Sequence, residues 1–227
     1  AAWDLLHDVS ITVLFCFFIV TFVAQPVRVQ GASMQPRIED NERILVNKFI
    51  YRFQGIERGD VVVFYYPRDP SVSYIKRVIG LPGDRIQVVN GILNVNGQPV
   101  KVEPIGMFED EERGRAAEIP MFEETLPEGV QHRILEMSNS GPFDDTQVFE
   151  VPPGHFFAMG DNRDNSQDSR VIGFIPVENL IGRAEIIFFS VDGSARLWEL
   201  SVAAFPPYAD YQTRTTRRIP VFVAEPA

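Results

Sequence analysis

Apolar positions follow three different patterns along this chain. Between Val9 and Gln25 the sequence VSITVLFCFFIVTFVAQ carries no charge, and only Ser10, Thr12, Thr21 and Gln25 are polar. As a helix these 17 residues span roughly 26 Å, close to the ~30 Å hydrocarbon core of a bilayer. A buried core helix or the apolar region of a removable signal peptide gives a similar run. The Phe-rich, all-round apolar character and the Pro26 that closes it favour a membrane span. Asp4 and Asp8 precede the run and Arg28 follows it, the reverse of the charge bias expected for a cytoplasmic N-terminus.

The second pattern is short and β-like. Arg43–Phe49 alternates weakly, and Val61–Tyr66 is a β-branched and aromatic run stopped by Pro67. Tyr74–Gly80 is a further strand, closed by the turn Leu81-Pro82-Gly83-Asp84. Asn90-Gly91 and Asn96-Gly97 then supply two hairpin signals of type I′. No convincing amphipathic helix and no internal repeat interrupts this antiparallel pattern. It returns at His155–Met159 and continues to Ile186–Phe189.

Between them, residues 101–150 change character. They hold 13 acids and 4 bases, a balance of −9 that leaves about −1 of the chain's −10 for the remainder. The segment is expected to be an inserted β subdomain or long excursion, less ordered than its surroundings and solvated by its charges. An acidic chain with no basic stripe argues against nucleic acid as a partner. Cys16 is the single cysteine, so no intramolecular disulfide forms. His7, His132 and His155 are scattered without ligand spacing, which argues against a Cys/His metal site.

Three polar stretches stand out from this background. In Gly31-Ala32-Ser33-Met34-Gln35-Pro36 the small residues leave the Ser33 hydroxyl approachable. A serine hydroxyl is a weak nucleophile until a base takes its proton. No histidine lies in a comparable motif, but Lys76 lies in an otherwise apolar strand. Strand alternation puts Tyr74, Lys76 and Val78 on one face, and Ile75, Arg77 and Ile79 on the other. With an ordinary pKa of about 10.4, only roughly 1 lysine in 2,500 is neutral at pH 7. Burial lowers that value to as little as about 5–6, which would make Lys76 a usable base. A snorkelling lysine at a strand edge is the plainer reading of that residue alone. The third stretch, Gly160 to Arg170 (GDNRDNSQDSR), reads either as a solvated loop or as Asp–Arg pairs and serine hydroxyls bracing a site.

Together these stretches, in this order behind an apolar span, closely resemble bacterial type I signal peptidases, the membrane-bound Ser/Lys proteases of family S26. GASMQP is similar to the family's S-M-x-P box, ERGDVVVF to its G-D-x-V-V-F strand, YIKRVIGLPGD to its lysine box, and GDNRDNSQDSRVIG to its last box. The resemblance covers roughly residues 9–100 and 152–190. It implies that Ser33 is the nucleophile, Lys76 the general base, and Ser166 the residue that orients the lysine amine with support from Asp168. It also makes Asp161, Arg163 and Arg170 structural members of the last box. The Ser33 N–H would form half of the oxyanion hole. The sequence departs from many Gram-negative members at Gly31, where they carry a serine or threonine hydroxyl, and at Arg37, where a threonine is usual.

The expected protein is mostly β. An N-terminal transmembrane helix (1–26) precedes an antiparallel β catalytic domain of signal-peptidase type (27–100 and 152–190), an inserted β subdomain (101–151) and a C-terminal tail (191–227). Its expected activity is cleavage of signal peptides from exported preproteins through an acyl-enzyme, without metal or cofactor. It would lie in the plasma (inner) membrane as a single-pass protein, with the catalytic domain on the extracytoplasmic side. Small residues at the first and third positions before the cut would enter shallow pockets, for which Met34 and Ile75 are the nearest candidates. Two other readings fit less well. A self-cleaving Ser/Lys repressor would lack the span and the last box, and a silent membrane-tethered binding module would not need both Ser33 and Lys76.

Overall fold

The computed structural model describes residues 7, 10–14, 23–110, 117–138, 140–189 and 223–224. In chain order its strands are β1 (Ala24–Arg28), β2 (Arg43–Asn47), β3 (Val61–Tyr66), β4 (Asp69–Gly80), β5 (Arg85–Val89), β6 (Ile92–Val95), β7 (Gln98–Pro99) and β8 (Lys101–Asp110). They continue with β9 (Ala117–Thr125), β10 (Gln131–Leu135), β11 (Phe149–Glu150), β12 (His155–Met159), β13 (Ile175–Pro176), β14 (Leu180–Phe189) and β15 (Val223–Ala224). The fold is mostly β, and the strand pairings within it are antiparallel.

The chain divides into two compact units. The first comprises Ala1–Val29, Asn41–Gln54 and Gly182–Ala227. Here β1 pairs with β2, β2 with β14 from Arg183 to Phe189, and β15 with β14. Most of the expected membrane span, Val9–Gln25, lies outside the described residues. Among the described residues no helix is long and apolar enough to cross a membrane. The last two residues of the apolar run, Ala24 and Gln25, open β1 opposite Asn47 and Val46. The boundary drawn at residue 26 therefore falls inside a strand, whose backbone groups are taken up by β2. Apart from β15, the tail 191–227 lies outside the described residues.

The second unit comprises Gln30–Asp40 and Gly55–Ile181, and it contains all the candidate site residues. One sheet has the order β3-β4-β12-β13, a second β11-β5-β6-β7, and a third β10-β9-β8. The core is built from alternating apolar positions of the first two sheets, among them Ile79, Phe157 and Met159 from one and Ile86, Val88 and Leu93 from the other. Both Asn-Gly pairs form the tight turns their sequence dictates. Asn90 and Gly91 have φ of 49° and 77°, and Asn96 and Gly97 have 55° and 79°, the left-handed values a type I′ turn requires.

Two elements exceed the sequence expectation. Strand β4 begins at Asp69 rather than Tyr74, because Tyr66 pairs with Asp69 and its ring stacks on Tyr74 at 5.0 Å. The acidic segment is a regular sheet rather than a less ordered excursion. Strands β8 and β9 pair from Lys101↔Thr125 to Asp110↔Ala117, and β10 adds on the other side of β9. Its charges are divided between two environments: Glu103, Glu109 and Glu118 are exposed, whereas Glu124 and His132 are buried.

Candidate active site

The C-terminal part of strand β4 lies between β3 and β12, and there the strand is buried, whereas Asp69–Ser73 at its start are exposed. Lys76 stands opposite Val62, and Arg77 is flanked by Val61 and Met159. Four consecutive residues, Lys76 to Ile79, are consequently buried. Lys76 does not snorkel, and only 4% of it is exposed. Its Nζ donates to Ser33 Oγ at 2.6 Å and to the Ile75 carbonyl at 2.8 Å, and it lies 5.5 Å from the centre of the Tyr74 ring. Burial lowers the Lys76 pKa to about 8, partly opposed by the charges of Asp168 and Asp161.

Ser33 is half-buried on a turn anchored by the buried side chains of Met34 and Ile38. The Arg37 and Ile38 N–H groups both donate to the Met34 carbonyl, and the Gln35–Pro36 peptide is cis. The last box grips this turn through Asn162. Its N–H donates to the Ser33 carbonyl at 3.1 Å, and its Nδ2 to the Ala32 carbonyl at 3.1 Å and to Gln35 Oε1 at 3.3 Å. No local pattern marks Asn162 as functional, although it stands in the last box, which like the lysine box is long and specific.

The remaining members of the last box are placed by charge. Asp168 caps the single helical turn Ser169–Ile172, accepting from the Arg170 N–H at 3.2 Å and from its Nε and Nη2 at 2.9 and 2.8 Å. It also accepts from the Gly160 N–H at 3.0 Å. Arg170 Nη2 reaches the Arg163 carbonyl at 2.6 Å, which ties the loop to itself. Ser166 is buried beside Asp168: burial raises that carboxyl, but Arg170, the Gly160 N–H and the Ser166 hydroxyl outweigh it and hold it below the usual range. Of the two substrate candidates, Met34 is fully buried and Ile75 half-buried.

Asp161 is held from the lysine strand itself. Arg77, on the face of β4 opposite Lys76, donates from Nε and Nη2 to its two carboxylate oxygens at 2.8 and 2.6 Å. Arg163 makes a two-pronged contact with Glu124 of β9 from its other edge, donating from Nη1 and Nη2 to the two carboxylate oxygens. His132, opposite Glu124 across the β9–β10 pair, lies 3.3 Å from Glu124 Oε2 and 3.9 Å from Asp161 Oδ1. Five buried ionisable groups thus run in a chain behind the last box. Burial raises the carboxyls of Asp161 and Glu124, but Arg77 and Arg163 outweigh it and hold both below the usual range, Glu124 at about 2. Burial lowers the His132 imidazole, reinforced by Arg77. Glu124 and His132 carried no legible signal, since they lie in the segment whose charge suggested solvation.

Gly160 marks the tightest approach in the site. A Cβ there would lie 2.5 Å from the Ser33 carbonyl oxygen and closer still to Ser166 Oγ. Gly160→Ala is therefore expected to displace Ser33 from Lys76 and to cost at least about 100-fold in kcat/KM, since a shift of about 1 Å at a reacting group has that effect. Wild-type kinetics in Gly160→Ala would refute this packing.

Against known proteins, the chain matches the family model described as "Signal peptidase, peptidase S26" over residues 2–189. The match runs through residues 101–151, which the sequence resemblance had left out. A model described as "F420H(2)-dependent quinone reductase" matches residues 182–226 only. Signal peptidase I of Rickettsia typhi is 35% identical over 210 residues, covering 80% of this chain and 78% of the relative. Signal peptidase I of Pseudomonas aeruginosa is 34% identical over 202 residues, covering 78% and 69%. A crystal structure of a signal peptidase I from Enterococcus faecalis aligns at 25% identity over 57% of this chain and 97% of that one, with a TM-score of 0.35.

Proposed function

The chain belongs to the signal peptidase family, peptidase S26, and from that premise we propose a membrane-bound serine endopeptidase that removes signal peptides from exported preproteins. The supporting observation is the 2.6 Å contact between Lys76 Nζ and Ser33 Oγ, made where burial brings the amine to about 8. Neutral Lys76 takes the proton of Ser33 as Oγ attacks the scissile carbonyl. The Ser33 N–H stabilises the oxyanion. The ammonium then returns its proton to the leaving amine, and the acyl-enzyme is hydrolysed by a water that Lys76 activates in turn. Asp161, Arg163, Asp168 and Arg170 position the loop, Ser166 orients the amine, and Asn162 fixes the backbone on both sides of the nucleophile.

The substrate adds as an extended strand. Met34 and Ile75, the sequence neighbours of the reacting pair, shape the pockets for small side chains, Met34 from below since it is fully buried. The segment ahead of β1 anchors the protein in the plasma membrane as a single pass, with the catalytic part on the extracytoplasmic side. The charge-free run Val9–Gln25 supports this reading.

The test is the pH dependence of preprotein cleavage in detergent micelles. With a base at about 8, about one tenth of Lys76 is neutral at pH 7 and half at pH 8. The rate should therefore rise about five-fold between those values and level off near pH 9. A rate independent of pH over that range would remove Lys76 from the mechanism.

A further inference from the structure

Away from Ser33 and Lys76, three carboxylates converge that the peptidase reaction does not use. Glu136, just after β10, and Asp144 and Asp164 each bring one carboxylate oxygen within 4.8 Å of the others. Glu136 is 6% and Asp144 2% exposed. Independently of this clustering, Glu136 Oε1 is buried and has no hydrogen-bond partner among the described residues. A buried, unpartnered carboxylate oxygen is costly unless something opposes its charge.

The neighbouring cations supply that opposition only in part, and neither hydrogen-bonds Glu136 Oε1. Arg163 is committed to Glu124, and Arg170 to Asp168 and the Arg163 carbonyl. Meanwhile backbone donors hold the other two carboxylates in place. Asp164 Oδ2 accepts from the Met137 and Ser138 N–H groups at 2.6 and 3.3 Å, and Asp144 Oδ2 from that of Gly141. The oxygens close around Gly141, where a Cβ would lie 3.0 Å from Asp164 Oδ1 and 3.2 Å from Asp144 Oδ2.

We propose that Glu136, Asp144 and Asp164 form a structural site for a hard divalent cation of the calcium class. An all-oxygen donor set without histidine or cysteine suits calcium, whose coordination tolerates irregular geometry. The cation would tie Glu136 and Asp144 to the 163–165 turn beside Arg163, and it takes no part in peptide cleavage.

The experiment is calorimetric titration of calcium chloride into the full chain in detergent micelles after EDTA treatment and dialysis, with thermal melting in parallel. One site per chain is expected, with Kd between about 10⁻⁵ and 10⁻³ M. The Tm should rise by about 5–10 °C at a free-ion concentration about 100 times Kd. Glu136→Gln should weaken binding at least about ten-fold, and Gly141→Ala should do so by crowding the ligand oxygens without removing charge. Glu103→Gln, an exposed acid of the same segment, should bind as wild type does. No saturable binding and no Tm shift would mean that the cluster holds only a proton. Wild-type affinity in either Glu136→Gln or Gly141→Ala would place the ion elsewhere on the acidic segment, and each of these results overturns the proposal.

Discussion

Lys76→Met is expected to abolish preprotein cleavage and at the same time to stabilise the fold. Loss of the base should lower kcat/KM by at least about 10⁴-fold, and Ser33→Ala should do the same, because the members of such a pair act as a unit. Stability moves in the opposite direction because the amine is buried. Its pKa falls from 10.5 unfolded to about 8 folded, a difference of about 2.5, or about 3 kcal/mol against the folded state. The depressed pKa means that the native state binds fewer protons than the unfolded one between about pH 8 and 10.5. The penalty is therefore complete below about pH 8, shrinks as pH rises through that window, and vanishes above it. Methionine fills a similar volume without a charge. Urea unfolding of both proteins at pH 7 and near pH 11 is the measurement, with the variant ahead at pH 7 and the gap closing at high pH. A variant less stable than wild type at pH 7 would show that the protein gains more from the amine's contacts than it loses by burying it.

Glu124→Gln should be among the most destabilising single changes in the second unit, by about 3–5 kcal/mol, because it leaves the Arg163 guanidinium buried without its counter-charge. The pH dependence gives a second route to a similar figure. A carboxyl held at about 2 against an ordinary 4.5 contributes about 3 kcal/mol. That contribution is complete above about pH 4.5 and is lost as pH falls through about 2. Denaturant unfolding of wild type and variant at pH 7 and at pH 3 should therefore show a large gap that narrows on acidification. A gap under about 0.5 kcal/mol at pH 7 would mean that Arg163 finds another partner. Such a loss in a residue far from Ser33 in sequence should also reduce cleavage, since Arg163 sits in the loop that grips the nucleophile.

The contrast between these two residues shows where sequence reading reaches its limit. Lys76 was legible because a charge inside a β-branched run breaks the local pattern, and because a long motif surrounds it. Glu124 was invisible because one acid among thirteen looks like the rest. Alternation along β9 buries it, but which face of β9 turns inward depends on pairing with β8 and β10, which are not local. The same holds for Arg77: the sequence placed it on the face of β4 opposite Lys76, yet nothing local showed that this face is also covered and that Asp161 waits there. Asn162 was in plain view within the last box, but its contacts run to Ala32 and Ser33, about 130 residues earlier in the chain.

The sequence by itself determined the β-rich class, the two Asn-Gly turns, the Ser33 and Lys76 candidates and the family, because each rests on a local pattern or a contiguous motif. The tertiary structure decided what closes around them. It set how far Lys76 is buried and hence its pKa, turned the acidic segment into a sheet, joined Arg77 to Asp161 and Arg163 to Glu124, and gathered Glu136, Asp144 and Asp164 at one point. These depend on which strands lie side by side, and that is fixed by burial summed over the whole chain rather than by any stretch of it.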